Sequence, residues 1–354
     1  MAKIALVTDI HFGARNDNQK IADFQERFFR DVFFPYLKDN NINTIVDLGD
    51  TFDRRKFINF VSLDRAKKMF FDPIDQNNYD FHVLVGNHDS FYKNTLEINS
   101  MDLLASHYPT MNIYNKPEVA TFDGTEVVML PWICADNQDQ VDAIIAETKS
   151  QVLFGHLELS GYQMYKGQSI NHGMKDDWLG KFDLVCTGHY HTRSTKGNVN
   201  YLGCPYEMTW SDYDDPKGFH IFDTETRDIT FIENPFKLFK KVFYNDSESS
   251  VADIVEQDMD QYRNSFVKVI INNKTNPYWF DMFMERLEKV EPIHVQVVED
   301  HLNLDLEDAD QLIEEAQDTL SILTNYVDQL EQIVDKPSVS KVVHELYQEA
   351  LRID

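Results

Sequence analysis

Five short segments carry side chains suited to binding metal ions, and each follows an apolar run. In chain order they are Asp9-Ile-His11, Gly49-Asp50 with Asp53-Arg54, Gly86-Asn87-His88-Asp89, Gly155-His156 and Gly188-His189-Tyr190-His191. Histidine, aspartate and asparagine without cysteine suit divalent ions such as manganese, iron or zinc. The side chains are too many for one ion, whereas two ions that share a carboxylate fit the number and can clamp a phosphoryl group. The pattern therefore predicts a dinuclear centre for phosphate chemistry.

Each segment alone has a simpler explanation. Asp-x-His occurs by chance, Gly-Asp is common in turns, and a single histidine after a strand is usually a loop residue. All five in this order, each after an apolar run, favour a joint site. The spacing of Asp9 from His11, and of His189 from His191, predicts that each pair lies on one side of an extended segment. Glycine before the ligand in four segments would let the backbone turn sharply and approach closely.

The apolar runs before these segments predict the strands that position them. They are Ile4–Val7, Ile45–Leu48, Val83–Val85, Val152–Phe154 and Leu184–Cys186. Apolar residues at helical spacing predict helices over Ile21–Leu37 and Leu63–Phe71. Alternating strands and helices indicate an α/β layer fold. Ligands of such sheets gather outside the carboxyl ends of the strands, so the five segments should meet in one crevice.

The length of 354 residues exceeds one ordinary core, and the pattern changes twice along the chain. Residues 1–237 form the predicted α/β domain. Residues 238–301 predict a small αβ domain with strands Phe266–Ile271 and Ile293–Val298 around a helix over Tyr278–Val290, linked through Pro235 and Asn245–Ser250. Residues 302–354 carry two amphipathic helical patterns separated at Pro337, which predict a docking segment for a partner.

The net charge of −27 comes from 33 basic and 60 acidic residues. Residues 1–200 hold 20 basic and 27 acidic side chains, so most of the excess acid lies later in the chain. Such a surface repels nucleic acid and anionic membranes unless a local feature overrides it. Three cysteines without a CxxC pair favour a reducing cytoplasm over a disulfide framework or structural zinc. Without a run of 18 apolar residues, we expect no membrane-spanning helix.

The five segments match the motif pattern of the calcineurin-like metallophosphoesterases. Within that superfamily the chain resembles the SbcD-type nuclease subunits of recombination and double-strand-break repair complexes, most of all those of tailed phages. The motifs cover about residues 1–200, and the later parts resemble that family's capping and ATPase-docking segments in order and size. The resemblance implies a two-sheet, four-layer α/β sandwich with a small αβ capping domain and a C-terminal helical segment.

The resemblance also implies the metal ligands and the cofactor. Two divalent ions, with manganese as the expected metal, would share Asp50 as a bridging ligand. The remaining ligands would be Asp9, His11 and His191 on one ion, and Asn87, His156 and His189 on the other.

The same resemblance implies roles for residues beside the ions. His88 would stabilise or protonate the leaving oxygen, and Asp89 would orient its ring. Asp53 either lies around the site or pairs with Arg54. From their positions next to the motifs, several basic residues are also candidates for contacts with substrate phosphates, and they are Arg54, Arg55, Lys56, Lys166 and His172.

The implied activity is a manganese-dependent phosphodiesterase that cleaves DNA as a 3′→5′ exonuclease and single-strand endonuclease, in recombination, repair or replication. Its implied partners are DNA and an SbcC-type coiled-coil ATPase bound through the C-terminal helices. A homodimer within a heterotetramer is expected, in the cytoplasm, or in the host cytoplasm if a phage encodes the chain.

Three alternatives stay open. Related phosphatases carry Gly-Asp-x-x-Asp-Arg-Gly and often Gly-Asn-His-Glu, where this chain has Arg55 and Asp89 at the last positions. A nucleotide phosphodiesterase is a second alternative. A partner-binding scaffold with a vestigial site is the third, and intact ligands in every motif argue against it.

Overall fold

The computed structural model describes residues 2–106, 108–170, 172–247 and 256–299, together with Val339 and Val342. Seventeen strands lie in this part of the chain. In order they are β1 Lys3–Val7, β2 Thr44–Asp47, β3 Asp80–Leu84, β4 Met111–Tyr114, β5 Glu118–Phe122, β6 Thr125–Leu130, β7 Val152–His156, β8 Gln163–Tyr165, β9 Gln168–Ser169, β10 Leu184–Gly188, β11 Ser194–Lys196, β12 Val199–Tyr201, β13 Gly218–Asp223, β14 Ile229–Glu233, β15 Phe239–Asn245, β16 Phe266–Asn273 and β17 His294–Glu299.

Helices cover the outer faces of the sheets. The α-helical segments after the turn at Ala14–Asp17 are Gln19–Phe28, Phe34–Asp39, Phe60–Ala66, Asp72–Gln76, Ser100–Leu104, Gln138–Glu147 and Pro277–Lys289, and short 3₁₀ turns span Asp177–Lys181, Trp210–Asp212 and Asp260–Tyr262. The first two predicted helices each contain a π turn, at Phe29–Phe33 and Lys67–Phe71. Pro35 and Pro73 follow these turns, and proline both lacks an N–H and clashes with the carbonyl four residues earlier. The turns therefore mark where regular α geometry is interrupted.

Two six-stranded sheets form the main body, in the orders β14-β13-β1-β2-β3-β4 and β11-β12-β10-β7-β6-β5. Their side chains alternate between faces, as the strand period requires. In β1, Ile4 and Leu6 join the core between the two sheets, whereas Ala5 and Val7 face the helices outside the first sheet. In β6 and β7, Val128 and Leu153 belong to a third core on the far side of the second sheet. This helix–sheet–sheet–helix layering confirms the predicted α/β sandwich.

The strands before the five motifs run in parallel within their sheets. β1 pairs with β2, and β2 with β3, in one sheet, while β7 pairs with β10 in the other. Parallel strands end at the same edge, so the first sheet presents three motifs together and the second presents two. The contacts that join these edges include one between His156 Nδ1 and Leu48 O, at 2.8 Å, and one in which the His189 N–H donates to Asp9 at 3.1 Å.

A third sheet, β15-β16-β17, is parallel throughout and packs against the helix Pro277–Lys289 around its own core. The predicted linker at Asn245–Ser250 is wrong. Asn245 is the last residue of β15, which pairs with β16, so the stretch begins inside the unit rather than before it. Strand β15 went unpredicted because its sequence, FKKVFYN, does not alternate regularly. The boundaries at 237/238 and 301/302 stay predictions.

The C-terminal helical pattern over 302–354 lies outside the described residues, apart from helical Val339 and Val342. In the part of the chain that the structure describes, no helix has the length and apolarity needed to cross a membrane.

Candidate metal centre

The loops after β1 and β2 pair with each other where the two strands end. The Asp9 N–H donates to Gly49 O and the His11 N–H to Asp50 O, both at 3.0 Å. Asp9, His11 and Asp50 have φ values of 53°, 50° and 57°, and His189 has 90°. Positive φ is uncommon outside glycine and costs conformational energy, so the predicted extended segments are wrong. The loops turn sharply in the left-handed region, and this turn aims the side chains into one crevice.

Asp9, His11 and His191 form the first group of converging ligand atoms. The Nε2 atoms of His11 and His191 lie 3.1 Å apart, and Asp9 Oδ1 lies 3.9 Å from the first and 4.0 Å from the second. Two imidazole nitrogens that face each other need a proton or a cation between them, because neutral lone pairs repel. This group therefore fits a metal ion.

Asn87, His156 and His189 form the second group. Asn87 Oδ1 lies 3.0 Å from both His156 Nε2 and His189 Nδ1, and Asp50, His156 and His189 also converge. Asp50 Oδ2 lies 3.2 Å from His156 Nε2 and 3.9 Å from His11 Nε2. The Asp50 carboxylate thus stands between the two groups, where a bridging ligand would stand. Oxygen and imidazole donors without thiolate fit the divalent ions that the motifs predict.

The site is closed at its base and open at one side. Asp9, His11, Asp50, Asn87 and His156 are buried. The accessible side is formed by partly exposed residues, which are His88, His189 and His191. A substrate phosphate would therefore approach from this histidine side.

Burial and charge shift the pKa values of the ligands in opposite directions. Burial lowers the pKa of His11 and of His156, but the surrounding carboxylates outweigh it and raise both values to about 9. Burial lowers the pKa of His189 well below its ordinary value, with repulsion from His156 adding to the effect, and that of His191 to about 4. Burial alone would raise the pKa of Asp50, yet the neighbouring histidines hold it well below its usual range. The carboxylate between the groups is therefore ionised.

Two motif glycines are required by close approach rather than by conformation. A Cβ on Gly86 would lie 2.2 Å from Asp50 Oδ1, and a Cβ on Gly188 would lie 2.0 Å from Thr8 Oγ1. Either contact is far inside van der Waals separation, so a side chain would displace the loop. Gly49, in contrast, needs its φ of 105°.

Asp89 does not orient the ring of His88, and that prediction is wrong. Its Oδ2 accepts the backbone N–H groups of Gly86 at 3.0 Å and Asp50 at 2.9 Å, while Oδ1 accepts that of Phe52 at 3.1 Å. This buried carboxylate thus holds the loop after β2 and ties it to the loop after β3. Burial, then repulsion from Asp50, raises the pKa of Asp89. Asp89 is thus a positioning residue for the loop that carries Asp50.

A backbone carbonyl holds the His88 ring instead. His88 Nδ1 lies 2.6 Å from Asp53 O, and because a carbonyl only accepts, Nδ1 carries the proton. Nε2 is therefore the ring nitrogen that remains for a substrate.

The Asp53 carboxylate lies 3.4 Å from His11 Nδ1, so it belongs to the surroundings of the centre. Arg54 pairs with Asp17 at 3.3 Å.

A family model described as calcineurin-like phosphoesterase matches residues 2–193, which carry all the motif side chains. The chain belongs to this family. It is 31% identical to Exonuclease subunit 1 of Enterobacteria phage T4 over 350 residues, covering 98% of this chain and 99% of that protein. It is 23% identical to the SbcD component of the nuclease SbcCD of Staphylococcus saprophyticus over 274 residues, covering 68% and 70%. These likenesses confirm the resemblance stated from the motifs.

The solved structures that match the chain include a dimetal phosphatase from Danio rerio, at 13% identity and a TM-score of 0.41, covering 62% of this chain and 91% of that one. An archaeal phosphodiesterase matches at 14% identity and a TM-score of 0.33, covering 66% and 99%.

The basic residues predicted to touch substrate lie in different surroundings in this phosphoesterase. Arg55 is half-buried and close enough to Asp50 to be attracted by it, and burial lowers its pKa. Lys56 is exposed. Lys166 pairs with Asp214 at 2.9 Å, and His172 lies 3.2 Å from Glu158. Arg54 is held by its pairing, so Arg55 and Lys56 are the stronger candidates near the centre.

Two residues that contact ligands of this phosphoesterase centre were not predicted from the sequence. Lys217 is buried, pairs with Asp212 at 2.7 Å and Asp215 at 2.8 Å, and donates to His191 O at 2.8 Å. The other is Trp132, whose ring centroid lies 5.0 Å from that of His189. Neither stands in a recognisable motif; for Lys217, only the charge pattern Asp212–Asp215–Lys217 hinted at an ionic cluster.

Proposed function

We propose that the chain is the nuclease subunit of a DNA recombination or break-processing complex. It would cleave DNA as a 3′→5′ exonuclease and as a single-strand endonuclease. The observation that carries the proposal is the 31% identity to a phage exonuclease subunit along nearly the whole of both chains. A cluster of ligands of the predicted types, open on one side, supports it.

In this proposal the chain holds two ions, both manganese. Asp9, His11 and His191 would hold one ion, Asn87, His156 and His189 would hold the other, and both ions would share Asp50. When bound, such a pair lowers the pKa of a water molecule and offsets charge on the phosphoryl oxygens. The chain's own contribution is to fix the ligands on braced loops, so that a phosphate is bound without reorganisation of the site.

His88 is proposed to act on the leaving oxygen. Its Nδ1–H is held by Asp53 O, which leaves Nε2 as the ring nitrogen that can act on the substrate. A protonated Nε2 would donate to the 3′ oxygen as the P–O bond breaks. His88→Ala should therefore slow cleavage of labelled DNA by about 100-fold or more while manganese binding is retained. Unimpaired cleavage would remove His88 from the mechanism.

Manganese with labelled single- and double-stranded DNA tests the activity itself. We expect shortening from the 3′ end and internal cuts in single strands by the full chain. Asp50→Asn should abolish both, whereas Lys68→Ala, in an exposed pair with Asp64, is the matched control and should not change them. Hydrolysis of phosphomonoesters without DNA cleavage, with or without a partner ATPase, would favour the phosphatase alternative.

The partner is proposed to be an SbcC-type coiled-coil ATPase bound by residues 302–354, with two copies of this chain in the assembly. The support is the name of the staphylococcal relative, which is one subunit of a nuclease complex. Truncation before Leu302 should abolish co-purification with the ATPase and spare manganese-dependent cleavage. If the truncated chain lost cleavage but still bound the ATPase, the proposal that residues 302–354 serve only to bind the partner would be contradicted. A cytoplasmic location stays a prediction.

A further inference from the structure

A small cavity opens beside the second ligand group. Its volume is about 140 Å³, and it is lined by Trp132, Ile133, His156, Glu158, Gly173 and Met174. The cavity shares His156 with the proposed metal centre, so its occupant would lie next to the phosphate held there. No residue of the cavity except His156 has a role in the proposed chemistry.

The position of Trp132 is fixed by the fold. It follows β6 at the carboxyl edge of the second sheet, and its N–H donates to Val85 O at 2.9 Å across the two sheets. The ring centroid lies 5.0 Å from that of His189 and 6.0 Å from that of His156. The indole therefore lies against both ligand rings and forms one wall of the cavity.

The opposite wall is equally constrained. The Met174 N–H donates to Glu158 O at 2.9 Å, and the Ser160 N–H donates back to Met174 O at 2.9 Å. Gly173 has a φ of 95°, and a Cβ there would lie 2.8 Å from Glu158 O. His172 Nε2 lies 3.2 Å from Glu158 Oε1 at the edge of this wall. The cavity is thus a formed space between two fixed segments.

The chemistry of the lining selects the occupant. Trp132, Ile133 and Met174 offer apolar and aromatic surface, which suits a flat, uncharged group. Glu158 would repel a second phosphate but can accept a hydrogen bond from an exocyclic amino group. Within one nucleotide of a phosphate at the metal centre, the flat uncharged group is the base.

We propose that this cavity binds the nucleobase of the nucleotide whose phosphate lies at the metal centre, with Trp132 as its stacking surface. The inference rests on the proposed nuclease function and adds to it a subsite on the DNA strand. Stacking on an aromatic side chain tolerates every base, as an exonuclease that proceeds through any sequence needs.

The test is a cycle of two changes, one in the protein and one in the DNA. The full chain with manganese is given a single strand with a natural 3′ nucleotide, or the same strand with an abasic tetrahydrofuran residue there. Wild-type protein should prefer the natural end in kcat/KM by about 5- to 150-fold, the range of one base–aromatic stack. Trp132→Ala should lose that preference, so that the natural and the abasic end are cleaved with equal kcat/KM, whatever its effect on the overall rate. Trp132→Phe should keep most of it.

Two outcomes would overturn the proposal: no preference by the wild type, or equal slowing of both strands by Trp132→Ala, which would mean that the indole only supports His189 and His156. A wild type that cleaves neither strand would instead refute the proposed function, and the subsite with it.

A binding measurement gives a readout without turnover. With Ca²⁺ in place of manganese, a strand ending in 2-aminopurine should lose fluorescence on binding to the wild type, because the base stacks on the indole. It should stay bright on binding to Trp132→Ala. Undiminished fluorescence in the wild-type complex would contradict the proposed stack.

Discussion

Replacement of Asp89 by asparagine tests whether this carboxylate braces a loop or takes part in chemistry. The Asp89 side chain accepts four backbone N–H groups, from Gly86, Asp50, Thr51 and Phe52, at 2.9 to 3.3 Å. Asparagine has the same size but only one oxygen, so it cannot accept all four. Because the change leaves the metal ligands and His88 in place, its effect on the free energy of unfolding reports the hydrogen bonds between Asp89 and the loop backbone.

The magnitude follows from these contacts. In its best orientation the amide oxygen keeps Gly86, Asp50 and Thr51, and the amide nitrogen then faces the N–H of Phe52. That N–H loses its acceptor, which costs about 1–3 kcal/mol, and each kept bond weakens by about 1 kcal/mol when its acceptor is no longer charged. Relief of the repulsion between Asp89 and Asp50 offsets part of this cost. We expect Asp89→Asn to lower the free energy of unfolding by about 3–5 kcal/mol.

Urea unfolding in EDTA measures this change without any contribution from bound metal. Ser100→Ala is the matched control, because its hydroxyl donates to Asp89 at 3.2 Å and its loss leaves all four backbone bonds in place. It should cost less than about 1.5 kcal/mol. If Asp89→Asn unfolded like the wild type but lost DNA cleavage, the carboxylate would act on the chemistry and the bracing role would be refuted.

Two further changes probe the ligands. The pKa values of His11 and His156, raised to about 9, mean that both imidazoles must release a proton to bind metal at neutral pH. Manganese affinity should therefore rise with pH up to about 9, by roughly tenfold per pH unit for each proton displaced, and calorimetry that shows no change between about pH 6 and 9 would contradict this. Gly188→Ala should weaken manganese binding by about 10- to 100-fold, because its Cβ would press on Thr8 Oγ1 and shift His189. Gly180→Ala, which meets open space, is the control, and equal affinities in the two variants would exclude the steric argument.

Much of the fold could be predicted because several strands and helices have a clear hydrophobic pattern within their own sequence. β1, β7 and β10 are short apolar runs that end at a motif, and the helices over 19–39 and 60–76 bury phenylalanines at helical spacing. Strands with weak alternation, such as β5 and β15, were not predicted because their side chains are mixed and partly exposed. Their pairing partners define them, and partners distant in sequence leave no local pattern.

The types of the site residues could be predicted, but not the backbone that presents them. Asp9 and His11 suggested an extended pair, yet both lie in left-handed turns stabilised by the loop after β2. The role of Asp89 was misjudged because its neighbour in sequence, His88, is not its partner in space. Trp132 and Lys217 lie far along the chain from the ligands that they contact. Pairing of strands within the second sheet brings Trp132 beside His189, and packing of the two sheets brings Lys217 to His191.

The carboxylates of the centre serve both the loops and the predicted ions. Asp9 accepts the His189 N–H at 3.1 Å, Asp50 accepts the His88 N–H at 2.7 Å, and Asp89 accepts the Asp50 N–H at 2.9 Å. Each carboxylate thus ties its own motif to the backbone of another while Asp9 and Asp50 keep further lone pairs for metal. Charge-assisted bonds of this kind are strong, so the loops hold their positions through protein contacts alone. The ions would therefore bind to a site that is already formed, and they would stabilise the fold because they bind the folded chain. In small metal-dependent domains, by contrast, the domain folds only when the metal is bound.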